Sequence, residues 1–456
     1  MGRINDFQQG ILAYATILWS KLGSVRSIYY YLKGVVAYTK ILRYKKHSTL
    51  NELTYRILWD LSFYSKHQFL KYKDYIVKQN TEQFRKKSIC KVGFIVYTPS
   101  MWSVDGLYKM MEKDSQYQPS VLVVPFTDDD KKAYENTKDY FIKRGYNVET
   151  PDSTSFNIDA YDILIYTNPY INYINVFSIS LDKLIVYVSY SYILSDKIEK
   201  IDYPICLLSW KFFCDSEFYK RLVENKSRVY SDNAVFCGYP KMDSYYLSEV
   251  RKDNKSKGRK VVIYAPHQSV NYTGIKSATF EKNGWFLLYL AEKYKDKLYW
   301  IIKPHPLLRS HSVMAGLFQN EDNYTDYLKR WEDFGAAEVV ENGDYFSLFK
   351  ESDAMITDSV SFLAEYQFTG KPLLLLESGR QTYNDFGNSI KDILYCCDGN
   401  DYSGIESFLD DVINGQDVMK EIREGFFNSN LSHSHKDGVL ANENVYNIIN
   451  LEIFAN

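Results

Sequence analysis

Two histidines beside prolines mark places in the second half of the chain where side chains can do chemistry. His267 stands in the segment YAPHQS and His305 in the segment IKPHP, each directly after an apolar run that predicts a strand. Proline fixes its own φ, so we expect His305 to project rigidly from the strand end, with Lys303 nearby as a compact positive charge. One histidine alone is more often structural, but two of the seven in the chain share this placement. We therefore predict that both act on a ligand.

A third segment, ITDSVSF, is predicted to end a strand and to open a helix with Asp358, Ser359 and Ser361. A helix N-terminus carries unpaired N–H groups and the positive end of the helix dipole, and both bind phosphate. Asp358 or Ser359 can also cap the helix, and capping is compatible with phosphate binding. Glu365, further along the same predicted helix, is a candidate partner of a sugar or ribose hydroxyl. The alternative for Glu365 is a solvent-exposed helix acid.

The first half of the chain offers one acid in a comparable position. Asp105 follows the segment PSMWSV, at the start of the helix that we predict after the first strand. A carboxylate there can act as a general base towards a bound hydroxyl. Alternatively, Asp105 stabilises the first turn of that helix through the helix dipole.

The elements that must position these residues alternate between short apolar runs and amphipathic helices, a pattern that predicts parallel sheets. The runs form two groups on either side of the polar, basic segment 252–260. We therefore predict an α/β fold with two Rossmann-like domains facing a cleft, the GT-B arrangement, in which ligands bind at the carboxyl ends of strands. The predicted strands are 92–97, 120–125, 163–167, 184–188, 205–208, 234–237, 261–265, 299–303, 337–340, 354–357 and 373–376.

These patterns divide the chain into four parts. We predict a helical, basic N-terminal segment at 1–87 and a first Rossmann-like domain at 88–250. A second Rossmann-like domain follows at 259–402, and C-terminal helices at 403–456 are expected to pack across the cleft.

The N-terminal segment differs in charge from the rest of the chain. Residues 1–47 carry eight Lys or Arg residues and a single acid, Asp6. Large apolar residues recur between them at spacings of three, four and seven, which is typical of a helix with an apolar and a basic side. Such a helix can lie on an anionic membrane surface. The alternative is a helical hairpin that packs on the catalytic domain with its lysines in solvent.

The overall composition, 45% hydrophobic and 25% charged over 456 residues, is that of a globular protein with more than one core. Lys plus Arg (55) nearly balances Asp plus Glu (57), which argues against nucleic acid as a partner. The six cysteines form no CxxC pair, so we expect buried free thiols and no zinc site. Since neither a signal peptide nor an apolar stretch of bilayer length is apparent, we expect a cytoplasmic protein.

The motifs taken together resemble the CDP-glycerol glycerophosphotransferase family of teichoic acid and capsule synthesis. The resemblance covers roughly residues 90–450. It is carried by GYPKMD at 238–243, PHxSx at 266–270, KPHP at 303–306 and SDAxITDSVSFLAEYxxTGKP at 352–372.

The resemblance implies transfer of an alditol phosphate, glycerol phosphate or similar, from a CDP-activated donor to a hydroxyl of a surface polysaccharide or lipid-linked acceptor. The first domain would then lie on the acceptor side, and the second would bind the nucleotide donor. In the family, the positions of His305, Asp358, Ser359 and Ser361 bind the donor diphosphate and support catalysis, and His267 matches a histidine of a capsule-type branch.

The resemblance assigns a mechanism of in-line displacement at phosphorus, in which the protein positions reactants and stabilises charge. His267, His305 and Lys303 would neutralise the charge that develops on the CMP leaving group. We expect neither a metal ion nor another cofactor, because cationic side chains and a helix N-terminus can take the place of Mg²⁺ at a diphosphate. The reaction would take place at the inner leaflet of the membrane, with the protein bound peripherally.

The first domain departs from the family pattern. Teichoic acid members carry a Trp-His-Gly-Thr segment whose histidine is the expected base, whereas the corresponding stretch 186–192 reads VYVSYSY. Asp105 is therefore our candidate for the base.

Two other functions remain compatible with the sequence. A GT-B glycosyltransferase would use a nucleotide sugar in capsule or cell-wall polysaccharide synthesis, and fold cannot separate it from a glycerophosphotransferase. A non-catalytic scaffold of a polysaccharide assembly complex would suit the basic N-terminal segment but has no need of His267, His305 and Lys303.

Overall fold

The structure is a computed structural model. The chain divides into two units, each built on its own sheet. The first unit takes in residues up to 190, 200–241 and those from 437 on, and the second takes in 191–199 and 242–436. The structure describes residues 70, 73–74, 77–125, 131–153, 156–169, 176–180, 182–194, 201, 203–227, 231–251, 255–270, 276–341, 345–432 and 438–454.

The first unit is built on a seven-stranded sheet. Its strands are β1 (Cys90–Val96), β2 (Tyr117–Val123), β3 (Val148–Glu149), β4 (Ile163–Tyr166), β5 (Leu184–Val188), β6 (Lys211–Cys214) and β7 (Ala234–Phe236). They lie in the order β3-β2-β1-β4-β5-β6-β7, and all neighbouring pairs are parallel. This order is that of a Rossmann-like sheet, with its switch point between β1 and β4.

The second unit repeats this plan with six strands. They are β8 (Lys260–Ala265), β9 (Leu298–Ile302), β10 (Ala337–Val339), β11 (Ala354–Thr357), β12 (Leu373–Glu377) and β13 (Tyr395–Asp398). The order is β10-β9-β8-β11-β12-β13, again with every pair parallel, so the switch point lies between β8 and β11.

Helices connect the strands of both sheets. The first unit contains α1 (Asp105–Lys113), α2 (Lys131–Lys143), α3 (Val176–Ile179), α4 (Pro204–Leu208) and α5 (Glu217–Lys226). The second contains α6 (Asp243–Leu247), α7 (Phe280–Lys293), α8 (Leu308–Met314), α9 (Glu321–Asp333), α10 (Phe346–Glu351), α11 (Val360–Glu365), α12 (Asp385–Lys391), α13 (Tyr402–Asn414) and α14 (Lys420–Phe426). The last helix, α15 (Ala441–Phe454), returns to the first unit.

Each sheet forms the centre of its own core. The strands β5 and β9 are buried along their whole length, as expected for parallel strands covered on both faces. In the first unit, Val445, Ile449 and Ile453 of α15 are fully buried at a spacing of four residues. Each such side chain contributes roughly 1.5–3 kcal/mol on burial, so α15 is part of the first core. Packing of 403–456 across a cleft stays a prediction.

The strand predicted at 205–208 is wrong, because these residues form α4. Pro204 occupies the first turn of this helix, where its missing N–H needs no partner and its fixed φ suits the helix. The strand of this part of the sheet is β6, which begins at Lys211. A short apolar run does not by itself distinguish a buried strand from a buried helix.

The cysteines are free, but the prediction that all are buried is wrong for two of them. Cys396 is exposed and Cys397 is half-buried, whereas the other four are buried. Both lie in β13, and this strand is at the edge of the second sheet, where covering is incomplete.

The basic pattern predicted for residues 1–47 lies outside the described residues. Of the predicted segment 1–87, residues 77–84 are helical. Within the part of the chain that the structure describes, no helix is both long enough and apolar enough to cross a membrane.

Candidate active site

Three strand ends meet at the switch point of the second sheet. Tyr264 of β8 lies beside Ile302 of β9, and Ala265 lies beside Thr357 of β11, so the three strands end at the same level. The chain beyond them carries His267, His305 and Asp358. Ligands of such sheets bind at this position, where neighbouring connections leave in opposite directions.

The structure brings His267 and His305 together. Their ring centroids are 5.5 Å apart, with the ring planes at 61°. The backbone N–H of His305 donates to the carbonyl of Pro266 at 3.1 Å, which fixes the two loops to each other. Both residues are half-buried. The pairing expected from the two proline motifs is thus present.

Backbone hydrogen bonds fix the tautomer of both rings. The N–H of Ser269 donates to Nδ1 of His267, and the N–H of Leu307 donates to Nδ1 of His305, each at 3.2 Å. Since Nδ1 accepts in both rings, the proton of the neutral imidazole resides on Nε2. Each ring therefore presents an N–H donor on the side away from its own loop.

Both histidines are neutral at physiological pH in the ligand-free protein. Burial, followed by the charges of His305 and His311, lowers the pKa of His267 to about 3. Burial, followed by the charges of Lys303 and His311, lowers the pKa of His305 to about 4. The neutral rings can still bind an anion, because each has an N–H donor at Nε2. The pair is therefore suited to a phosphate ligand.

Asp358 faces inward and braces the site. Its carboxylate accepts hydrogen bonds from the N–H of His267 at 2.6 Å and from the N–H and hydroxyl of Thr279 at 2.6 and 2.9 Å. Burial raises the pKa of Asp358 to about 7, although these hydrogen bonds oppose the rise. Because the carboxylate is buried and holds three donors, it positions the His267 loop, and the N-cap of α11 is Ser359. A contact of Asp358 with the donor diphosphate stays a prediction.

The helix start after β11 contributes hydroxyl groups. Ser359 is the N-cap of α11 and makes no side-chain capping bond, while its N–H donates to the Thr357 hydroxyl at 3.0 Å. Ser361 is half-buried in the first turn. Since α11 has only six residues, its dipole is weak, and the candidate phosphate contacts here are the two serine hydroxyls.

Glu365 does not fit the expectation of a solvent-exposed helix acid. Its side chain is fully buried and accepts a hydrogen bond from the Tyr345 hydroxyl at 2.7 Å. The helical spacing predicted that Glu365 lies near the strand end. In the structure it lies in the last turn of α11, and this turn is buried. A contact of Glu365 with a sugar or ribose hydroxyl stays a prediction.

Lys303 is buried beside the histidines. Its Nζ donates to the backbone carbonyl of Glu341 at 3.0 Å, and burial lowers its pKa while the Glu341 charge opposes this. The Glu341 carboxylate itself pairs with Arg309, at 2.9 Å to each oxygen. Lys303 therefore adds positive charge to the site from a fixed position.

Sequence reasoning missed His311. It lies on α8, is half-buried, and its Nδ1 is 2.9 Å from the carbonyl oxygen of Gln268, the residue next to His267. A signal was present, because His311 follows His305 by six residues and a short helix after β9 returns its side chain to the strand ends.

Asp105 of the first unit is engaged by three donors. The Tyr146 hydroxyl and Trp102 Nε1 donate to one oxygen, and Lys109 pairs with the other at 2.6 Å. Burial favours the protonated form, but hydrogen bonds from Lys109 and Tyr146 outweigh it and hold the pKa below the ordinary value. These contacts favour support of α1 over action as a base, which stays a prediction.

A buried carboxylate of the first unit, Asp215, was not singled out from the sequence. Asp215 directly follows β6 and accepts a hydrogen bond from the Ser216 hydroxyl at 2.9 Å. Its other oxygen has no hydrogen-bond partner among the described residues, and burial raises its pKa to about 7. No sequence signal distinguished it, because an acid before a helix N-cap serine is common.

Within the residues that the structure describes, no group of three or more His, Cys, Asp or Glu side chains is arranged to hold a metal ion.

Comparison with known proteins gives a family match. Residues 199–451, more than half of the chain, match the family described as CDP-glycerol:poly(glycerophosphate) glycerophosphotransferase. None of the curated proteins compared with the chain matches it.

Solved structures resemble the whole fold. S. aureus MnaA with UDP has a TM-score of 0.55 at 15% identity, covering 81% of this chain and 98% of its own. A Neisseria meningitidis UDP-GlcNAc 2-epimerase bound to UDP-GlcNAc has a TM-score of 0.50 at 14% identity, with coverages of 80% and 100%. A variant of the wall teichoic acid polymerase TagF has a TM-score of 0.50 at 14% identity, with coverages of 92% and 98%. At these identities the likeness concerns the fold alone, and it confirms the predicted α/β class with two Rossmann-like domains of GT-B type.

Proposed function

The chain belongs to the CDP-glycerol:poly(glycerophosphate) glycerophosphotransferase family, and from this membership we propose that it transfers an alditol phosphate from a CDP-activated donor to a polymer hydroxyl. The acceptor is a surface polysaccharide or a lipid-linked precursor of one. The fold likeness to a wall teichoic acid polymerase supports this assignment.

The observation that carries the proposal is the pair of Nε2–H donors of His267 and His305 at the switch point of the second sheet. Transfer of a phosphoryl-linked group needs donors aimed at oxygens that gain negative charge. Neutral imidazoles held in one tautomer provide such donors without the cost of burying two charges. As CMP leaves, the negative charge that grows on its phosphate strengthens the hydrogen bonds from both Nε2–H groups, so stabilisation grows towards the transition state.

Other residues of the second unit support this pair. Lys303 contributes a fixed positive charge, and the hydroxyls of Ser359 and Ser361 are candidate donors to the diphosphate. Asp358 keeps the His267 loop in place through the hydrogen bond at 2.6 Å. We propose that these residues position the donor without a metal ion, by the in-line displacement expected from the sequence.

The basic, apolar-patterned sequence of residues 1–47 supports a location at an anionic membrane surface. Co-sedimentation with vesicles containing anionic lipid, compared with neutral vesicles, tests this part of the proposal. Binding to anionic vesicles alone, lost in high salt, is the expected result.

The transferase activity is tested by incubating the purified chain with glycerol-labelled CDP-glycerol and a short poly(glycerol phosphate), in the presence of EDTA. We expect CMP release and transfer of label to the polymer. The S. aureus MnaA structure contains UDP, and the Neisseria meningitidis epimerase structure contains UDP-GlcNAc. UDP-GlcNAc is therefore the matched alternative donor. Transfer from UDP-GlcNAc in place of CDP-glycerol would identify a glycosyltransferase, and turnover of neither donor would favour the scaffold.

A further inference from the structure

The ring of His267 contacts a side chain as well as the backbone of Ser269. The hydroxyl oxygen of Ser269 lies 2.9 Å from Nδ1 of His267, and the N–H of the same serine lies 3.2 Å from that nitrogen. Ser269 is buried, with 3% of its surface exposed. The chemistry of the ring depends on which of the two atoms, Oγ of Ser269 or Nδ1 of His267, carries the shared hydrogen.

The other contacts of the Ser269 hydroxyl identify the donor. Its oxygen accepts hydrogen bonds from the backbone N–H of Ser277 at 3.0 Å and of Ala278 at 2.9 Å. A serine hydroxyl has two lone pairs and one O–H. Because the two N–H groups use both lone pairs, the O–H is left for Nδ1 of His267. The hydroxyl therefore donates to the ring, and Nε2 carries the proton of the neutral imidazole.

The segment 276–279, which orients this hydroxyl, is itself held by two other strand ends. From the loop after β12, Nε2 of Gln381 donates to the carbonyl oxygen of Ser277 at 3.2 Å. At the end of β11, the carboxylate of Asp358 accepts the N–H of Thr279 at 2.6 Å. The oxygen of Ser269 thus meets two N–H groups whose positions are fixed independently of His267.

We propose that Ser269 is a positioning residue that holds the ring of His267 with Nδ1 as acceptor and Nε2–H as donor, an assignment that rests on the proposed function for its phosphate ligand. A half-turn of the ring about its bond to Cβ would put a carbon atom in the place of Nδ1. The buried hydroxyl would then have no acceptor, which is unfavourable. Ser269 therefore opposes this rotation and keeps the Nε2–H group in one direction.

The ring assignment is tested by NMR of the full chain labelled with ¹⁵N-histidine, at neutral pH. In the wild type, Nδ1 of His267 should resonate as a lone-pair nitrogen and Nε2 as a protonated one. A hydrogen bond accepted by a lone-pair nitrogen moves its resonance upfield. We therefore expect a downfield shift of Nδ1 in Ser269→Ala and a nearly unchanged resonance in Ser269→Thr, which keeps the hydroxyl. The His267 signals are identified by their loss in His267→Gln.

The consequence for the ligand is measured by calorimetry with CMP. Loss of the bond from the hydroxyl to the ring should weaken CMP binding by roughly 3- to 10-fold in Ser269→Ala, and Ser269→Thr should recover most of the affinity. A matched control is Ser352→Ala in the same unit. Ser352 is 2% exposed, and its hydroxyl bonds to the Phe349 carbonyl and the Tyr366 hydroxyl. Its removal should lower stability but leave the His267 resonances and CMP affinity unchanged.

A protonated Nδ1 in the wild type would overturn the ring assignment without any variant. An unchanged His267 spectrum in Ser269→Ala, or the same spectral change in Ser352→Ala, would overturn it too. A shifted Nδ1 resonance in Ser269→Ala with unchanged CMP affinity would overturn the role of Ser269 in ligand binding. Failure of the wild type to bind CMP would contradict the proposed function, and the spectra would still decide whether Ser269 holds the ring.

Discussion

The backbone N–H of His267 donates to the buried carboxylate of Asp358 at 2.6 Å, which joins the loop after β8 to the end of β11. The same carboxylate holds the N–H and the hydroxyl of Thr279. One side chain thus fixes the position of the loop that carries His267, a proposed hydrogen-bond donor to phosphate.

We predict that Asp358→Asn destabilises the protein. The Asn side chain has one acceptor oxygen, and its NH₂ group would face an N–H of His267 or Thr279. Each buried N–H left without an acceptor costs about 1–3 kcal/mol. Urea unfolding should show the loss, and CMP affinity should fall as the His267 loop moves. Unchanged stability and unchanged CMP affinity would show that Asp358 does not hold the His267 loop in place.

The same substitution at Asp215, Asp215→Asn, should instead stabilise the protein. Asp215 is also buried, with a pKa raised to about 7, but Ser216 is the only other side chain among the described residues that donates to it. Because the folded-state pKa lies above the ordinary 3.8, its ionisation lowers stability as the pH rises from about 4 to about 7. The neutral Asn should therefore raise Tm relative to the wild type at about pH 8. The increase in Tm should be smaller at about pH 5. A lower Tm at both pH values would contradict this.

At His305 we expect the opposite pH dependence of stability, a loss as the pH falls. Its folded-state pKa is lowered to about 4, so between about 6.5 and 4 the unfolded chain binds a proton that the folded protein excludes. The wild type should lose stability relative to His305→Gln as the pH falls through this window, without ligand. Paired thermal unfolding of the two proteins measures the difference, and a constant difference would mean that the ring is not held neutral.

Donor binding should depend on the Nε2 position of His305. His305→Ala removes a donor to a charged phosphate, which is worth about 1.5–3 kcal/mol, so CMP affinity should fall by roughly 10- to 150-fold. His305→Gln should retain part of the affinity, because its amide nitrogen reaches the place of Nε2. Calorimetry with CMP compares the three proteins. Equal affinity of the wild type and His305→Ala would remove His305 from the site.

The sequence was sufficient for the elements with long apolar runs and for residues beside prolines. Of the thirteen strands in the described residues, ten follow from such runs, whereas β3, β6 and β13 were not predicted. His267 and His305 stand at strand ends, as their motifs predict. The strand prediction at 205–208 was wrong because a short buried helix and a buried strand favour the same residue types.

The spacing of residue types in the sequence could not predict side-chain direction or hydrogen-bond partners. Glu365 and Asp358 lie on the predicted helix and strand end, yet both face inward, and spacing does not encode which acid finds a buried donor. The contact of His311 with the His267 loop likewise depends on a single carbonyl, that of Gln268. Such a contact is set by the tertiary structure.

The central claim is that the second unit binds a cytidine diphosphate donor through its paired histidines. The most direct measurement is a calorimetric titration of the purified chain with CDP-glycerol in the presence of EDTA, repeated with His305→Ala and with UDP-GlcNAc as the second ligand. We predict that CDP-glycerol binds the wild type, binds His305→Ala at least about tenfold more weakly, and is preferred over UDP-GlcNAc. Binding of UDP-GlcNAc alone, or binding of CDP-glycerol that the His305 substitution leaves unchanged, would contradict it.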